Sequence, residues 1–208
     1  MGNKVAKLAL KDKDISRLVE RTRFQEDEVR ALLSQFVHLK APDSDSTDLH
    51  ISLAEFQASL GLKSGQSSLF LERVFKLLAR STPNAVSFEE FLIGLSNLTP
   101  NATPEARFRF TFAIYDYDGN GYITPENLKM FLSAAMTEND VLISENDVEM
   151  IVKETFASLR LQDPKRISYD EYVQMVVKQP SILKPLTFNL QELIANHPET
   201  QQHAVHAK

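Results

Sequence analysis

Cysteine is absent from this chain of 208 residues. Without cysteine, disulfide bonds, thiolate metal sites and a cysteine nucleophile are all excluded. The chain also lacks any apolar run near the roughly 20 residues that a membrane-spanning helix needs, and its first residues lack the apolar core of a secretory signal. These absences lead us to expect a cytoplasmic protein.

Basic residues are not in excess either. The chain has 23 lysines and arginines against 28 acidic residues, a net charge of −5 and a pI near 5.6. Binding of nucleic acid normally requires a basic face, so we expect no nucleic-acid partner. Gly-rich phosphate loops, nucleophile motifs and the His-Glu-x-x-His signature are missing too, which argues against an enzyme.

One short signature recurs four times along the chain. It consists of a β-branched residue, then serine or threonine, two variable residues, usually glutamate, and a large apolar residue. Apolar residues with helical spacing precede each copy, as Val29, Leu32 and Phe36 do before the first. The repeat predicts four helix-loop-helix units. The four copies are residues 51–56 (ISLAEF), 86–91 (VSFEEF), 123–128 (ITPENL) and 167–172 (ISYDEY).

The β-branched residue that opens each copy favours a short strand. We therefore predict that the first loop pairs with the second and the third with the fourth, which gives two lobes in an all-α fold. Two prolines and two asparagines in residues 97–104 predict the boundary between the lobes. The predicted domains are a tail and short helix at 1–23, paired units at 24–98 and 104–180, and a C-terminal helix and tail at 181–208.

The third loop, residues 116–127 (DYDGNGYITPEN), matches a calcium loop of the EF-hand type at every position but the last. Such a loop needs side-chain oxygens at positions 1, 3 and 5, glycine at 6, a carbonyl at 7, a water-bridging group at 9 and a bidentate glutamate at 12. The candidate metal ligands are Asp116, Asp118, Asn120, Tyr122 through its carbonyl, Thr124 and Asn127.

Asn127 is the departure, because it stands where the glutamate is expected. An amide offers one neutral oxygen, whereas a carboxylate offers two charged ones. We therefore expect weak Ca²⁺ binding at this single site. Mg²⁺ becomes a better competitor, because it accepts ligands with one oxygen each.

The second and fourth loops lack the oxygen ligands expected at positions 1 and 5 instead. The second has Ala79 at position 1 and Pro83 at position 5. The fourth has Arg160 at position 1, where a positive charge repels a cation, and Pro164 at position 5. We expect neither loop to bind an ion.

The first loop has spare residues between Leu39 and Ile51 and cannot be laid on a frame of twelve. Its acids leave an unconventional site open: Asp43, Asp45 and Asp48. The first, second and fourth loops nevertheless keep serine at position 9 and glutamate at position 12. These pairs predict capping boxes that start a helix without any metal: Ser52 with Glu55, Ser87 with Glu90, and Ser168 with Glu171.

Nearly the whole chain resembles the calcineurin B-like superfamily of four-EF-hand proteins, which includes calcineurin B, plant-type kinase regulators, calcium-and-integrin-binding proteins and neuronal calcium sensors. The most specific stretches are residues 21–36 (RTRFQEDEVRALLSQF), 107–123 (RFRFTFAIYDYDGNGYI) and 178–188 (KQPSILKPLTF). The resemblance implies a regulatory subunit that holds an amphipathic helix of a kinase, phosphatase or membrane protein in an apolar groove.

Two functional hypotheses follow. One is a calcium-modulated regulator, and the alternative is a calcium-independent structural or adaptor protein that keeps a degenerate EF-hand scaffold. At the N-terminus, Gly2 resembles an N-myristoylation acceptor, although Ala6 stands where serine or threonine is expected. Acylation together with nearby lysines would give peripheral membrane association, whereas the other interpretation is a simple soluble tail.

Overall fold

The computed structural model describes residues 10–40, 49–59, 68–97, 99, 102–138 and 141–180. Most of these residues are helical, and four short strands lie between helices, so the predicted all-α fold is confirmed. The elements are α1 (Asp12–Arg21), α2 (Glu26–Leu39), β1 (His50–Ser52), α3 (Leu53–Ser59), α4 (Leu69–Leu78), β2 (Ala85–Ser87), α5 (Phe88–Ser96), α6 (Pro104–Tyr115), β3 (Tyr122–Ile123), α7 (Pro125–Glu138), α8 (Glu145–Ser158), β4 (Ile167–Ser168) and α9 (Tyr169–Lys178).

Several predictions concern residues outside this described part of the chain. They are the acylated Gly2, the acids of the first loop at Asp43, Asp45 and Asp48, and the C-terminal helix and tail within 181–208. The part of the chain that the structure describes contains no helix whose length and hydrophobicity would let it span a bilayer.

The predicted capping boxes form at three helix starts. At α5, the Ser87 hydroxyl accepts a hydrogen bond from the Glu90 N–H, and the Glu90 carboxylate accepts one from the Ser87 N–H. The same reciprocal pair starts α3 at Ser52 and α9 at Ser168. Because these bonds satisfy N–H groups that a helix leaves unpaired, they start each helix without an ion.

The predicted strand pairs are also present. Antiparallel β1 and β2 place Ile51 opposite Val86, and antiparallel β3 and β4 place Ile123 opposite Ile167. All four side chains are buried. Each loop is therefore joined to its partner through main-chain bonds and an apolar pair.

The chain divides into two compact units. The first contains the described residues of 1–66 and 78–103, and the second contains those of 67–77 and 104–184. Helix α4 is therefore split, because residues 69–77 belong to the second unit and Leu78 to the first.

The core of the first unit is built around Phe36 of α2. Its ring centroid lies 5.3 Å from those of both Phe88 and Phe91 on α5. On the same helix, Gly94 leaves room for Leu78, because a Cβ at this glycine would overlap the Leu78 side chain. Aromatic packing and one close approach thus fix α5 in this unit.

The core of the second unit joins α6 to α9. The Phe112 ring packs against Tyr169 and Tyr172, with centroids 5.4 Å apart in each pair. The buried Tyr172 hydroxyl donates to Thr111 Oγ1 over 2.8 Å. Burial raises the pKa of the Tyr172 phenol, so this hydroxyl stays protonated.

Candidate metal centre

The third loop runs from the end of α6 to the start of α7. Its backbone takes left-handed conformations at Gly119 (φ 68°) and Gly121 (φ 86°), which glycine adopts without a steric penalty. Gly121 is the sixth loop position, where the calcium-loop pattern predicts a sharp turn.

Asp116 organises the first half of this loop. The residue is only 7% exposed, and its two carboxylate oxygens accept hydrogen bonds from the N–H groups of Asn120 and Gly121, each over 3.0 Å. Asn120 Oδ1 accepts a further bond from the Tyr122 N–H over 2.9 Å. Side chains of this kind that bond to the following backbone stabilise tight turns. The loop is therefore wrapped around its first candidate ligand.

Asn127 closes the second half. It is 3% exposed, its Oδ1 accepts from the Thr124 N–H over 3.2 Å, and its own N–H donates to Thr124 Oγ1 over 3.2 Å. Its Nδ2 donates to Asp118 Oδ2 over 3.0 Å. The amide orientation is fixed chemically, because its oxygen faces an N–H group and its nitrogen faces a carboxylate. Asn127 thus presents a donor where a glutamate would present an oxygen.

The third loop offers the oxygen ligands that a hard divalent cation prefers, but it offers less negative charge than a complete calcium loop. Asp116, Asp118 and Asn120 provide the side-chain oxygens that Ca²⁺ and Mg²⁺ prefer. Across the described ranges, however, no three side chains among His, Cys, Asp and Glu form a group that could hold a metal ion. Among the predicted ligands of the third loop, only Asp116 and Asp118 are carboxylates, and Asp118 is bonded to the Asn127 amide.

Arg73 of α4 contacts the start of this loop. Its Nε and Nη2 donate to the Ala113 carbonyl over 3.0 and 2.7 Å, and Nη2 also donates to the Asp116 carbonyl over 2.5 Å. Burial lowers the pKa of Arg73, while the charges of Asp116, Tyr117 and Asp118 act in the opposite direction. Sequence reasoning missed Arg73, since it lies on the helix that precedes the second loop and matches no motif.

The second loop is closed by its own glutamate. Glu90 Oε1 accepts from the N–H groups of Arg80 and Ser81 over 2.9 and 2.7 Å, while Oε2 accepts from the Ser87 N–H over 2.9 Å. Asn84 takes the left-handed sixth position, with φ 63°. Burial raises the pKa of Glu90, but hydrogen bonds from Ser87 and Ser81 outweigh burial and lower the pKa to about 2.

The fourth loop repeats this arrangement with other donors. Glu171 Oε1 accepts from the Gln162 N–H over 2.7 Å, and Oε2 accepts from the Ser168 N–H over 2.8 Å. Hydrogen bonds from Ser168 and Gln162 lower the pKa of Glu171. An ion pair between Arg166 and Asp163, 2.8 Å long, further braces the loop. In both loops, the carboxylate at position 12 is thus engaged with main-chain N–H groups of its own loop.

The structure places most of the predicted ligands of the third loop in two adjoining hydrogen-bonded groups. Asp118, Thr124 and Asn127 are linked to one another, and Asp116 and Asn120 form the adjoining turn. The side chain of the remaining predicted residue, Tyr122, lies beneath the Arg166 guanidinium at 4.1 Å, which is consistent with a role for its carbonyl alone.

Comparisons with known proteins agree with this architecture. The family model described as an EF-hand domain pair matches residues 105–177. The chain is 30% identical over 177 residues to calcineurin B-like protein 5 of Arabidopsis thaliana, covering 85% of this chain and 86% of that relative.

Two relatives from Dictyostelium discoideum extend the comparison. Calcium-binding protein NCSA is 31% identical over 134 residues, which cover 64% of this chain and 67% of the relative. The type 1 calcineurin B subunit is 27% identical over 194 residues, which cover 92% of this chain and 100% of the relative. The repeats, the paired loops and these relatives together show that the chain belongs to the calcineurin B-like superfamily of EF-hand proteins.

Proposed function

We propose that this chain is a non-enzymatic regulatory protein that binds a helical segment of a target protein and holds one weakly bound divalent cation in its third loop. The observation that carries the proposal is the third loop itself, in which Asp116, Asp118 and Asn120 surround a turn typical of an EF-hand. Family membership supports the regulatory role, because the calcineurin relatives are by name subunits of a larger assembly.

The cation would be held by oxygens of the third loop alone. When bound, it supplies positive charge that draws carboxylates and carbonyls together. The residues that would hold it are Asp116, Asp118, Asn120, Thr124 and the carbonyl of Tyr122, with Asn127 contributing one amide oxygen. Binding is weak because Asn127 has to give up its hydrogen bond to Asp118, and Mg²⁺ tolerates single-oxygen ligands better than Ca²⁺ does.

The target would be an amphipathic helix of a kinase, a phosphatase or a membrane protein. Apolar side chains are exposed in the second unit, including Met150 of α8, which is 51% exposed, and Val177 of α9. Methionine and branched aliphatic side chains adapt to the apolar face of a partner helix. These residues support the proposal of a helix-binding surface.

Calorimetric titration of the full chain with Ca²⁺ and with Mg²⁺ tests the metal site. We expect weak binding that Asp116→Asn abolishes, because this substitution removes a charge while retaining much of the turn. Glu171→Gln is the matched control, since Glu171 already bonds to Gln162 and Ser168 and should contribute no binding heat. Absence of heat from the wild type at millimolar Ca²⁺ and Mg²⁺ would contradict the proposal.

A calcium-independent adaptor is the second candidate function. It is favoured by the hydrogen bonds that close three loops without an ion, made by Glu90, Glu171 and Asn127. Affinity purification with Ca²⁺ and with chelator separates the two candidates. Equal recovery of one partner in both conditions supports the adaptor, and loss of that partner in chelator contradicts it.

Acylation of Gly2 and peripheral membrane association remain proposals about a segment outside the described residues. Coexpression with an N-myristoyltransferase, followed by measurement of the intact mass, tests the acylation on which this association would depend. The mass should rise by one myristoyl group in the wild type and not in Gly2→Ala.

A further inference from the structure

Arg73 is bonded to the end of the helix that leads into the third loop. Its guanidinium donates to the carbonyls of Ala113 and Asp116, and both partners lie within the second unit. Helix α6 ends at Tyr115, so these carbonyls belong to its C-terminal end, where a helix leaves carbonyls unpaired and carries partial negative charge. Arg73 therefore occupies a position that favours a cation.

A second cation lies beside the same part of the loop. The Arg73 guanidinium and the Lys76 ammonium each lie 5.6 Å from the ring centroid of Tyr117. Tyr117 is the second loop position, between the two candidate carboxylate ligands Asp116 and Asp118. Two positive charges of α4 thus lie near Tyr117, the residue between Asp116 and Asp118.

Helix α4 is held in this place by a separate contact. Glu138, the last residue of α7, accepts hydrogen bonds from Ser68 Oγ over 2.9 Å and from the Leu69 N–H over 3.1 Å. The start of α4 is therefore bonded to α7, and its middle is bonded through Arg73 to the end of α6. Because α6 and α7 flank the third loop, Arg73 is a fixed neighbour of the loop.

We propose that Arg73, assisted by Lys76, is a built-in counter-cation that weakens the binding of divalent metal ions in the third loop. The proposal rests on the proposed function of that loop as the metal site. A fixed positive charge beside Asp116 and Asp118 repels an incoming cation and offsets part of the attraction of the carboxylates. Low affinity at this site then has two sources, the amide at Asn127 and the charge of Arg73.

The test compares metal binding by full-chain variants that differ in charge at position 73. Arg73→Gln retains a hydrogen-bond donor and removes the charge, whereas Arg73→Lys retains the charge. In calorimetric titrations with Ca²⁺, we expect Arg73→Gln to tighten binding by about four- to tenfold and Arg73→Lys to stay within about twofold of wild type. The difference between wild type and Arg73→Gln should shrink at high ionic strength.

Two further variants control for folding and for total charge. Lys76→Gln changes an exposed side chain and should tighten binding in the same direction by a smaller factor. Arg30→Gln removes one positive charge from exposed ion pairs of the first unit and should leave binding unchanged. Thermal unfolding in chelator checks that each variant folds.

A background with Asn127→Glu separates failure of this proposal from failure of the proposed function. If the wild type binds no metal but Arg73→Gln still tightens binding in that background, the proposed metal site fails and the counter-cation role stands. If neither Arg73→Gln nor Lys76→Gln tightens binding in either background, or if Arg73→Gln weakens it, Arg73 is only a structural contact and the proposal is overturned. Absence of binding by the double variants also overturns it.

Discussion

Asn127 Nδ2 donates a hydrogen bond to Asp118 Oδ2 over 3.0 Å, which joins the twelfth and third positions of the third loop. In a calcium-filled loop, both positions would direct oxygens towards the ion. Here the neutral amide of Asn127 donates to the Asp118 carboxylate, which would otherwise bind the ion. The loop is thus held closed by its own side chains, and metal affinity is reduced by the same bond.

Asn127→Glu should convert the third loop into a stronger Ca²⁺ site. The substitution supplies a bidentate carboxylate and removes the donor that engages Asp118, so we expect affinity to rise by roughly tenfold or more, which corresponds to about 1.4 kcal/mol. Calorimetry measures the change. Asn127→Gln, which lengthens the side chain and keeps the amide, is the matched control and should bring no gain. Equal affinities of the two variants would contradict the role assigned to position 12.

Asn127→Ala should destabilise the protein in the absence of metal. The buried side chain bonds to both Asp118 and Thr124, and its loss leaves the Thr124 N–H without this partner. We expect the free energy of unfolding in urea with chelator to fall by about 1–3 kcal/mol. Asn120→Ala, which removes one bond from an exposed side chain, should cost less. A larger loss at Asn120 would show that the bonds of Asn127 do not hold the loop closed.

Glu90→Gln should destabilise the first unit in a pH-dependent way. Both carboxylate oxygens accept from N–H groups, and an amide nitrogen cannot do so, which gives a cost of about 1–2 kcal/mol at neutral pH. The pKa of Glu90 is lowered from its ordinary value of 4.5 to about 2 in the folded protein. The ionised carboxylate therefore stabilises the fold fully above pH 4.5, and this stabilisation is lost as the pH falls towards 2.

Urea unfolding between pH 6 and pH 3 measures this effect, and the difference between wild type and Glu90→Gln should narrow as pH falls. The neighbouring Glu89→Gln is the control. Glu89 pairs with Arg17 and Arg21 at the surface, so we expect a cost below about 1 kcal/mol per pair. A pH-independent difference at Glu90 would argue against the hydrogen-bonded carboxylate.

Tyr172→Phe should cost about 1 kcal/mol of unfolding free energy, because it removes the buried hydrogen bond to Thr111. Thr111→Val removes the other partner, and the double variant completes a cycle in urea unfolding. We expect a coupling energy of about 0.5–1.5 kcal/mol between the two side chains. Additive losses would show that the bond does not contribute to stability.

Much of the fold could be predicted from the sequence because its determinants are local. The Ser-x-x-Glu boxes at Ser52, Ser87 and Ser168 each act within four residues, and the β-branched residues mark the strands that pair. These features depend on spacing, which the sequence displays directly. The candidate ligands of the third loop follow from spacing in the same way.

The remaining features depend on which groups meet in three dimensions. Arg73 lies 43 residues from Asp116, and nothing in the intervening sequence indicates that the two make contact. Glu90 Oε1, the oxygen outside the capping box, accepts from the N–H groups of Arg80 and Ser81. Because every residue except proline has such an N–H group, the sequence does not single out these two donors. The direction of the Asn127 amide depends on its partners at both ends. Periodicity contains no information about such contacts.

The division of α4 affects how the second lobe can be studied in isolation. A fragment that begins at Pro104 would contain the whole third loop and would still lack residues 67–77 of its own folding unit. The carbonyls of Ala113 and Asp116 would lose the donors of Arg73, and the loop would lose the positive charge beside it. Metal affinities measured on such a fragment would therefore overestimate those of the full chain. A fragment that begins before Ser68 would retain the Arg73 hydrogen bonds and the positive charge beside the loop.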